Sequence, residues 1–350
     1  PMDPALQPAE PVVFSRAAGW SRATGTAVAV GNFDGVHLGH AEIVRRLRAA
    51  ADRAGVPAAV LTFDPHPASI VRPGTAPDVH IVVRCFLASI VRPGAAPAPL
   101  TTPARRAELL LALGVDAVLV QPVDGRLVAL EAEAFYRGVL RDRLRAAALV
   151  EGADFRFGAG RRGDVGLLAA LAAADGVGLE VVEPVAAEGA AVSSSRVRAL
   201  VAAGDVAAAN RLLTAPFRIT GTVVAGARRG RELGFPTANL AGIATLLPAP
   251  GVYAARAALP DGRVHAAAVH VGPNASFGET AVSVEAHLVG FAGDCYGSPL
   301  DVDFLARLRD TRRFDAIEEL VARMRADVEE AARIAGPAAA EGAARRDHAS

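Results

Sequence analysis

From Ala27 to about Leu200, short apolar runs alternate with amphipathic stretches. The runs Ala27–Val30, Ala58–Phe63, Ala117–Val120, Ala147–Val150 and Leu179–Val182 have the length and content of buried strands. Between them, Ala41–Ala54, Pro103–Leu113 and Glu131–Leu144 carry apolar residues at helical spacing. Strands separated by helices predict an α/β domain: a parallel sheet with helices on both faces. The pattern changes after about Leu213. Arg218–Val224, Gly251–Ala258, Val264–Val271, Ser283–Leu288 and Leu300–Phe304 are short alternating runs between Gly, Pro and Asn turns. They predict an antiparallel β-barrel or sandwich. A last helix is expected from about Asp315 to Ile334, with Ile317, Leu320, Val321 and Met324 on one face. The expected organisation is a flexible Pro- and Ala-rich lead-in over 1–25, a first domain over 26–203, a linker over 204–216, a second domain over 217–335, and a disordered tail over 336–350.

The first domain places its chemistry at strand ends. Gly31-Asn32-Phe33-Asp34-Gly35-Val36-His37-Leu38-Gly39-His40 joins the first strand of the sheet to a helix start. There an α/β sheet offers backbone N–H groups and a positive helix end to a phosphate. His37 and His40, three apart, share one side of the first helical turn and can donate hydrogen bonds to phosphate oxygens. Asp64 and His66, in Thr62-Phe63-Asp64-Pro65-His66-Pro67, are expected at the same sheet edge, as is Asp154 in Gly152-Ala153-Asp154-Phe155. Ser193-Ser194-Ser195-Arg196-Val197-Arg198 reads either as a polyphosphate site at a helix start or as an ordinary N-cap.

In the second domain, Gly230-Arg231-Glu232-Leu233-Gly234-Phe235-Pro236-Thr237-Ala238-Asn239 combines glycines that admit phosphates with Thr237 and Asn239, oxygen donors suited to Mg²⁺. Glu285 is a carboxylate inside an apolar alternating strand. A buried, unpaired carboxylate is costly, so it is either a general base facing a cleft or half of an ion pair with an arginine.

Composition narrows the mechanisms. All 37 basic residues are arginine, balanced by 37 acidic ones, for a formal net charge of zero. Without lysine there is no Schiff base and no Walker-type phosphate loop. The balanced charge speaks against a general nucleic-acid surface. Apolar runs fall short of the roughly 20 residues that span a bilayer. No secretory leader is recognisable, and Cys85 and Cys295 are isolated, so a cytoplasmic protein without disulfide framework or zinc site is expected. Ala68–Gly74 and Ala88–Gly94 are the same heptapeptide, which reads as a local loop duplication.

These motifs resemble those of the bifunctional prokaryotic riboflavin kinase/FAD synthetase family over about Ala27 to Ile334. His37-x-x-His40 with Ser193-Ser194-Ser195-x-x-Arg198 is similar to the nucleotidyltransferase signature, and Pro236-Thr237-Ala238-Asn239 with Glu285 to the riboflavin kinase signature. The resemblance implies a Rossmann-like FMN adenylyltransferase domain followed by a riboflavin kinase barrel with a terminal helix. It implies that the barrel phosphorylates riboflavin with ATP and that the first domain joins FMN to AMP, giving FAD. It implies catalytic roles for Glu285, His37, His40 and Arg198. Gly31, Asn32, Phe33, Asp34, Gly35, Asp154, Ser193, Ser194, Ser195, Gly230, Gly234, Pro236, Thr237 and Asn239 would hold nucleotide. Asp64, His66, Pro67 and Arg309 would hold flavin, and Thr237 and Asn239 would hold the Mg²⁺ that accompanies ATP. Partners would be small molecules, with no nucleic acid or membrane and at most weak self-association.

The chain departs from the family pattern at the duplicated segment, at Ser195 where threonine is usual, and at Asn274-Ala275-Ser276-Phe277 where Asn-Pro-Thr-Phe is usual. A kinase-only enzyme, with the transferase impaired by the duplicated loop over 68–94, and a non-catalytic flavin-binding protein are the alternatives. A cytidylyl- or pantetheine-type transferase would account for the histidines but not for the barrel.

Overall fold

The computed structural model describes residues 10–16, 25–64, 98–226, 229–273 and 281–336. His66, Pro67, Cys85, both heptapeptide copies, Asn274–Phe277 and the tail from 337 lie outside them. Two compact units emerge. One contains the described residues up to 64 together with Thr102–Ser193, and the other contains Ala98–Thr101 and the described residues from Ser194.

The first unit is built on a six-stranded sheet. Its strands are β1 (Val12–Ser15), β2 (Thr26–Val30), β3 (Ala58–Asp64), β4 (Ala117–Pro122), β5 (Ala146–Gly152) and β8 (Gly178–Val182), in the order β1-β4-β3-β2-β5-β8. All pair in parallel except β1, which is antiparallel to β4. The lead-in was expected to be loose, yet Val12–Ser15 forms this edge strand, with Val12 and Val13 exposed and Phe14 half-buried. Parity along β2 splits the core. Val28 and Val30 pack into one cluster with Phe135, Leu140 and Leu168. Ala27 and Ala29 pack into the other with Val44 and Leu47 of α1 (Leu38–Ala54) and Leu110 of α2 (Pro103–Ala112). Helices therefore cover both faces, as expected.

The stretch predicted as one helix over Glu131–Leu144 is α-helical only in part. After a single turn at Gly125–Ala129 (α3), α4 covers Ala132–Phe135 and passes into a π-helix over Tyr136–Arg143. That wider winding buries Tyr136, Val139 and Leu140 together. The hairpin β6 (Arg156–Phe157) and β7 (Gly163–Asp164), helix α5 (Val165–Ala174), and the small pair β9 (Ala186–Ala187) and β10 (Ala190–Ala191) complete the unit.

The second unit opens with α6 (Ser194–Ala202) and α7 (Val206–Leu212), so the span expected as a linker contains a helix. Asn210 explains why it is ordered: its amide donates to the Phe304 carbonyl at 2.8 Å and accepts from the Phe217 N–H at 2.8 Å. The barrel is closed: β11 (Arg218–Val224), β12 (Ala238–Ala241), β15 (Ser283–Leu288), β14 (Val264–Gly272), β13 (Gly251–Ala258) and β16 (Pro299–Arg309), with β16 returning to β11. A single turn, α8 (Arg229–Glu232), lies between β11 and β12. Register aligns Val223 with Leu240, Ala238 with Ala286, Val271 with Val284 and Tyr253 with Val269 on the inner face. Closure removes the free strand edges that an open sheet would expose.

The terminal helix α9 (Ile317–Ala335) packs on β13, β14 and β16. Of the expected face, Ile317 is 63% exposed, while Leu320, Val321 and Met324 are half-buried, and the same stripe continues into the buried Asp327, Ala331 and Ala335. Asp327 tolerates burial because Arg309 and Arg323 both reach it, at 2.8 and 2.9 Å. Arg256 donates twice to the Ala335 carbonyl, capping the C-terminal end of α9.

Candidate functional site

In the first unit, the strand order reverses at β2 and β5. β2 leads through α1 to β3 on one side, while β5 is followed by β8 on the other. The crevice beyond such a switch point is where open α/β sheets bind ligands. Two expected segments meet there, Gly31–His40 beyond β2 and Gly152–Asp154 beyond β5. Asp64 ends β3 at the same edge.

The Gly31–His40 turn is sharply folded. Phe33 and Val36 have left-handed backbones, with φ of 47° and 43°. Such conformations cost about 1–3 kcal/mol each and persist only where the surroundings fix them. What fixes this turn is a buried polar network. Arg106 of α2, fully buried, donates to the Thr62 hydroxyl and the Phe63 carbonyl, each at 3.0 Å, and lies 3.7 Å from the Asp34 carboxylate. Thr62 in turn donates to the Asn32 carbonyl at 2.9 Å.

His37 is the N-cap of α1 and His40 its third residue. Each ring's Nδ1 accepts the other's backbone N–H, at 3.4 and 3.3 Å, a reciprocal capping box made by two histidines. The rings stack with centroids 3.6 Å apart. Because both Nδ1 atoms accept, the proton of each neutral ring is on Nε2, which remains a donor. Burial, then the neighbouring His37 and the Arg106 charge, hold the His40 pKa well below its ordinary value. His40 is thus a neutral donor at neutral pH. Asn32 Oδ1 is buried and takes no hydrogen bond among the described residues. A buried acceptor left in that state is costly, and a donor group on a ligand would relieve it.

Two buried groups at this edge were not singled out from the sequence. Arg106 shares a helix face with Leu110, a spacing that gives it away in retrospect. Glu151 of β5 is 2% exposed, and its carboxylate accepts the Val30 N–H at 2.8 Å where β2 and β5 diverge. Burial pushes its pKa well above the ordinary value.

The Ser193–Arg198 segment divides at the unit boundary. Ser193 closes the first unit, while Ser194, Ser195 and Arg198 belong to the second. Arg198, 8% exposed, donates to the Ala98 carbonyl at 3.2 Å.

In the second unit, β15 alternates so that Val284, Ala286 and Leu288 point into the barrel and Ser283, Glu285 and His287 lie on its outer wall. Glu285 was expected either to face a cleft as a general base or to pair with an arginine. It is half-buried on that wall, and two hydroxyls donate to it: Thr237 to Oε2 at 3.2 Å and Ser283 to Oε1 at 3.4 Å. Among the described residues no arginine pairs with it. Asn239 is its register partner on β12, and His270 on β14. Close backbone approach explains two glycines: a Cβ at Gly226 would meet the Asn239 side chain, and one at Gly230 the Phe235 carbonyl. Arg309, expected to hold flavin, has its guanidinium turned to Asp327 through Nε and a terminal nitrogen, at 2.9 and 2.8 Å, and is a clamp for α9. Among the described residues, no group of three or more His, Cys, Asp or Glu side chains could hold a metal ion. The donors on the barrel wall are instead neutral oxygens beside one carboxylate.

A doubly wound domain with a phosphate-ready turn, followed by a closed barrel with a carboxylate–hydroxyl pair on its wall, defines a two-site transferase acting on nucleotide phosphates. The comparisons agree. The FAD synthetase family model matches residues 20–196 and the riboflavin kinase model residues 213–335. A bifunctional riboflavin kinase/FMN adenylyltransferase of Pseudomonas fluorescens is 37% identical over 90% of this chain and 94% of its own. Those of Escherichia coli K12 and Bacillus subtilis are 32% and 30% identical, covering 87% and 88% of this chain and 90% and 92% of theirs. A crystal structure titled as a macrolide-efflux protein from Streptococcus pneumoniae superposes with a TM-score of 0.72 at 30% identity, covering 88% of this chain and 94% of that one. No helix among the described residues is long and apolar enough to cross a membrane. The chain belongs to the family of bifunctional riboflavin kinase/FMN adenylyltransferases.

Proposed function

We propose that this chain makes FMN at the outer wall of its barrel and FAD at the switch point of its parallel sheet. Its substrates are riboflavin, FMN and ATP, as its family membership establishes. The observation that carries the residue assignment is the Thr237–Glu285 contact at 3.2 Å.

In the kinase step, Glu285 takes the proton of the riboflavin 5′-hydroxyl as that oxygen attacks the γ-phosphorus of ATP and ADP leaves. Thr237 donates its proton to one carboxylate oxygen, which orients Glu285. The same hydroxyl keeps its lone pairs for a cation. Thr237 Oγ1 and Asn239 Oδ1 are hard donors that fit Mg²⁺ arriving with ATP, and when bound that ion neutralises charge on the phosphates. Gly230 and Gly234 let the backbone of the 229–239 segment approach the phosphates.

In the adenylyl step, an FMN phosphate oxygen attacks the α-phosphorus and diphosphate leaves, so no enzyme nucleophile is needed. The Nε2–H groups of His37 and His40 donate to phosphate oxygens as negative charge builds. Asn32 Oδ1 accepts from the nucleotide. Arg198 and the Ser193–Ser195 hydroxyls take their phosphate roles from the sequence signature, as do Asp64 and Asp154 their ligand roles. A formal net charge of zero supports small-molecule ligands in preference to nucleic acid, and isolated cysteines support a cytoplasmic setting.

The test is chromatography of products from riboflavin, ATP and Mg²⁺. Wild type is expected to form FMN and then FAD. Glu285→Gln should slow FMN formation by about 10²-fold or more while FAD formation from supplied FMN persists. Unchanged FMN formation would remove Glu285 as the base. FMN accumulating in wild type without FAD would establish the kinase alone.

A further inference from the structure

His287 lies two residues beyond Glu285 on the same face of β15, and no functional role has attached to it so far. Its Nδ1 is 2.9 Å from the Pro236 carbonyl oxygen. A carbonyl can only accept, so Nδ1 carries the proton and donates. The ring also meets Phe235 edge-on, with centroids 5.6 Å apart and planes at 70°. Phe235 is held from its other side, where its N–H donates to the Gly230 carbonyl at 2.7 Å. One side chain, rooted on the strand that carries Glu285, therefore grips the two residues that immediately precede Thr237. The Thr237–Glu285 contact is 3.2 Å, already beyond the usual hydroxyl range of about 2.5–3.0 Å, so a further shift of a few tenths of an ångström breaks it.

We propose that His287 is a positioning residue of the kinase site, which clasps the Pro236 carbonyl and so holds the Thr237 hydroxyl against Glu285. This inference rests on the roles given to Glu285 and Thr237 above. His287 moves no proton of the reaction. It supplies a fixed N–H at one point in space, and that point is what the substitutions distinguish. An asparagine amide places an N–H where histidine Nδ1 was, whereas a glutamine amide places one where Nε2 was.

The experiment measures FMN formation from riboflavin and Mg·ATP by wild type, His287→Asn, His287→Gln, His287→Ala and Glu285→Gln. FAD formation from supplied FMN, assigned to the other unit, is followed in the same proteins. His287→Ala and His287→Gln are expected to lower kcat for FMN formation about tenfold, the effect of one lost hydrogen bond in a site that must stay aligned, with KM for riboflavin within about twofold. His287→Asn is expected within about threefold of wild type, because it keeps the Pro236 bond. FAD formation should be unchanged throughout. Wild-type activity in His287→Ala, or equal activity of the Asn and Gln variants at any level, overturns the proposal. Where the alanine variant misfolds, the Asn–Gln comparison still decides. A fully active Glu285→Gln protein instead overturns the base assignment, and with it the site that His287 holds.

Discussion

At the scale of single residues, the first unit carries two titrating groups with opposite effects on stability. The folded state holds the His40 pKa well below its ordinary value near 6.5. Below that pH the unfolded chain binds a proton that the folded chain refuses, so stability falls as pH drops through 6.5 towards the folded value. Glu151 behaves inversely. Its folded pKa lies well above the ordinary 4.5, so above that pH the folded chain keeps a proton the unfolded chain has lost, and stability falls as pH rises through that window. Thermal unfolding of His40→Ala between pH 7 and 5 should show a shallower acid slope than wild type. Glu151→Gln keeps the acceptor for Val30 N–H without the ionisable group, and should raise stability at pH 7 by about 1 kcal/mol or more. An unchanged melting profile in either variant would show that its environment does not shift the group. The sequence announced His37 and His40 but hid Arg106 and Glu151. Motif spacing exposes residues that act from one local segment, whereas Arg106 acquires its meaning only when α2 packs against the turn 70 residues earlier in the chain.

At the scale of elements, strand parity was legible and strand neighbours were not. The bounds of β11, β13 and β15 coincide with the alternating runs, because an inward and outward alternation is written into the residues themselves. β12, only four residues long, went unread, and with it the pairing that sets Asn239 beside Glu285. The same limit applied to α9. An apolar stripe suggested Ile317 as part of the buried face, but the helix is seated through Asp327, a residue whose burial makes sense only beside Arg309 and Arg323. Removing one partner of such a cluster leaves buried charge unmatched. Asp327→Ala should therefore lower the stability of the second unit by about 3 kcal/mol, read by denaturant unfolding, where an effect under about 0.5 kcal/mol would show that the clamp is ornamental.

For the whole molecule, each of the two reactions has its own proposed loss-of-function variant. FMN is the product of one reaction and a substrate of the other. A mixture of Glu285→Gln protein with His37→Ala protein should accordingly make FAD from riboflavin, although neither makes it alone at more than about 1% of the wild-type rate. Absence of FAD from the mixture, with each protein active in its remaining step, would mean that FMN does not leave the chain that made it.

The clamp on α9 also has a consequence in the order of synthesis. Arg256 and Arg309 leave the ribosome well before Asp327 and Ala335, the groups they hold. Until then the nascent barrel has an uncovered side and two arginines without their counterparts. The barrel is thus completed only once α9 has emerged, and a chain cut short before Asp327 would be presented to chaperones and proteases with its β13–β16 wall open.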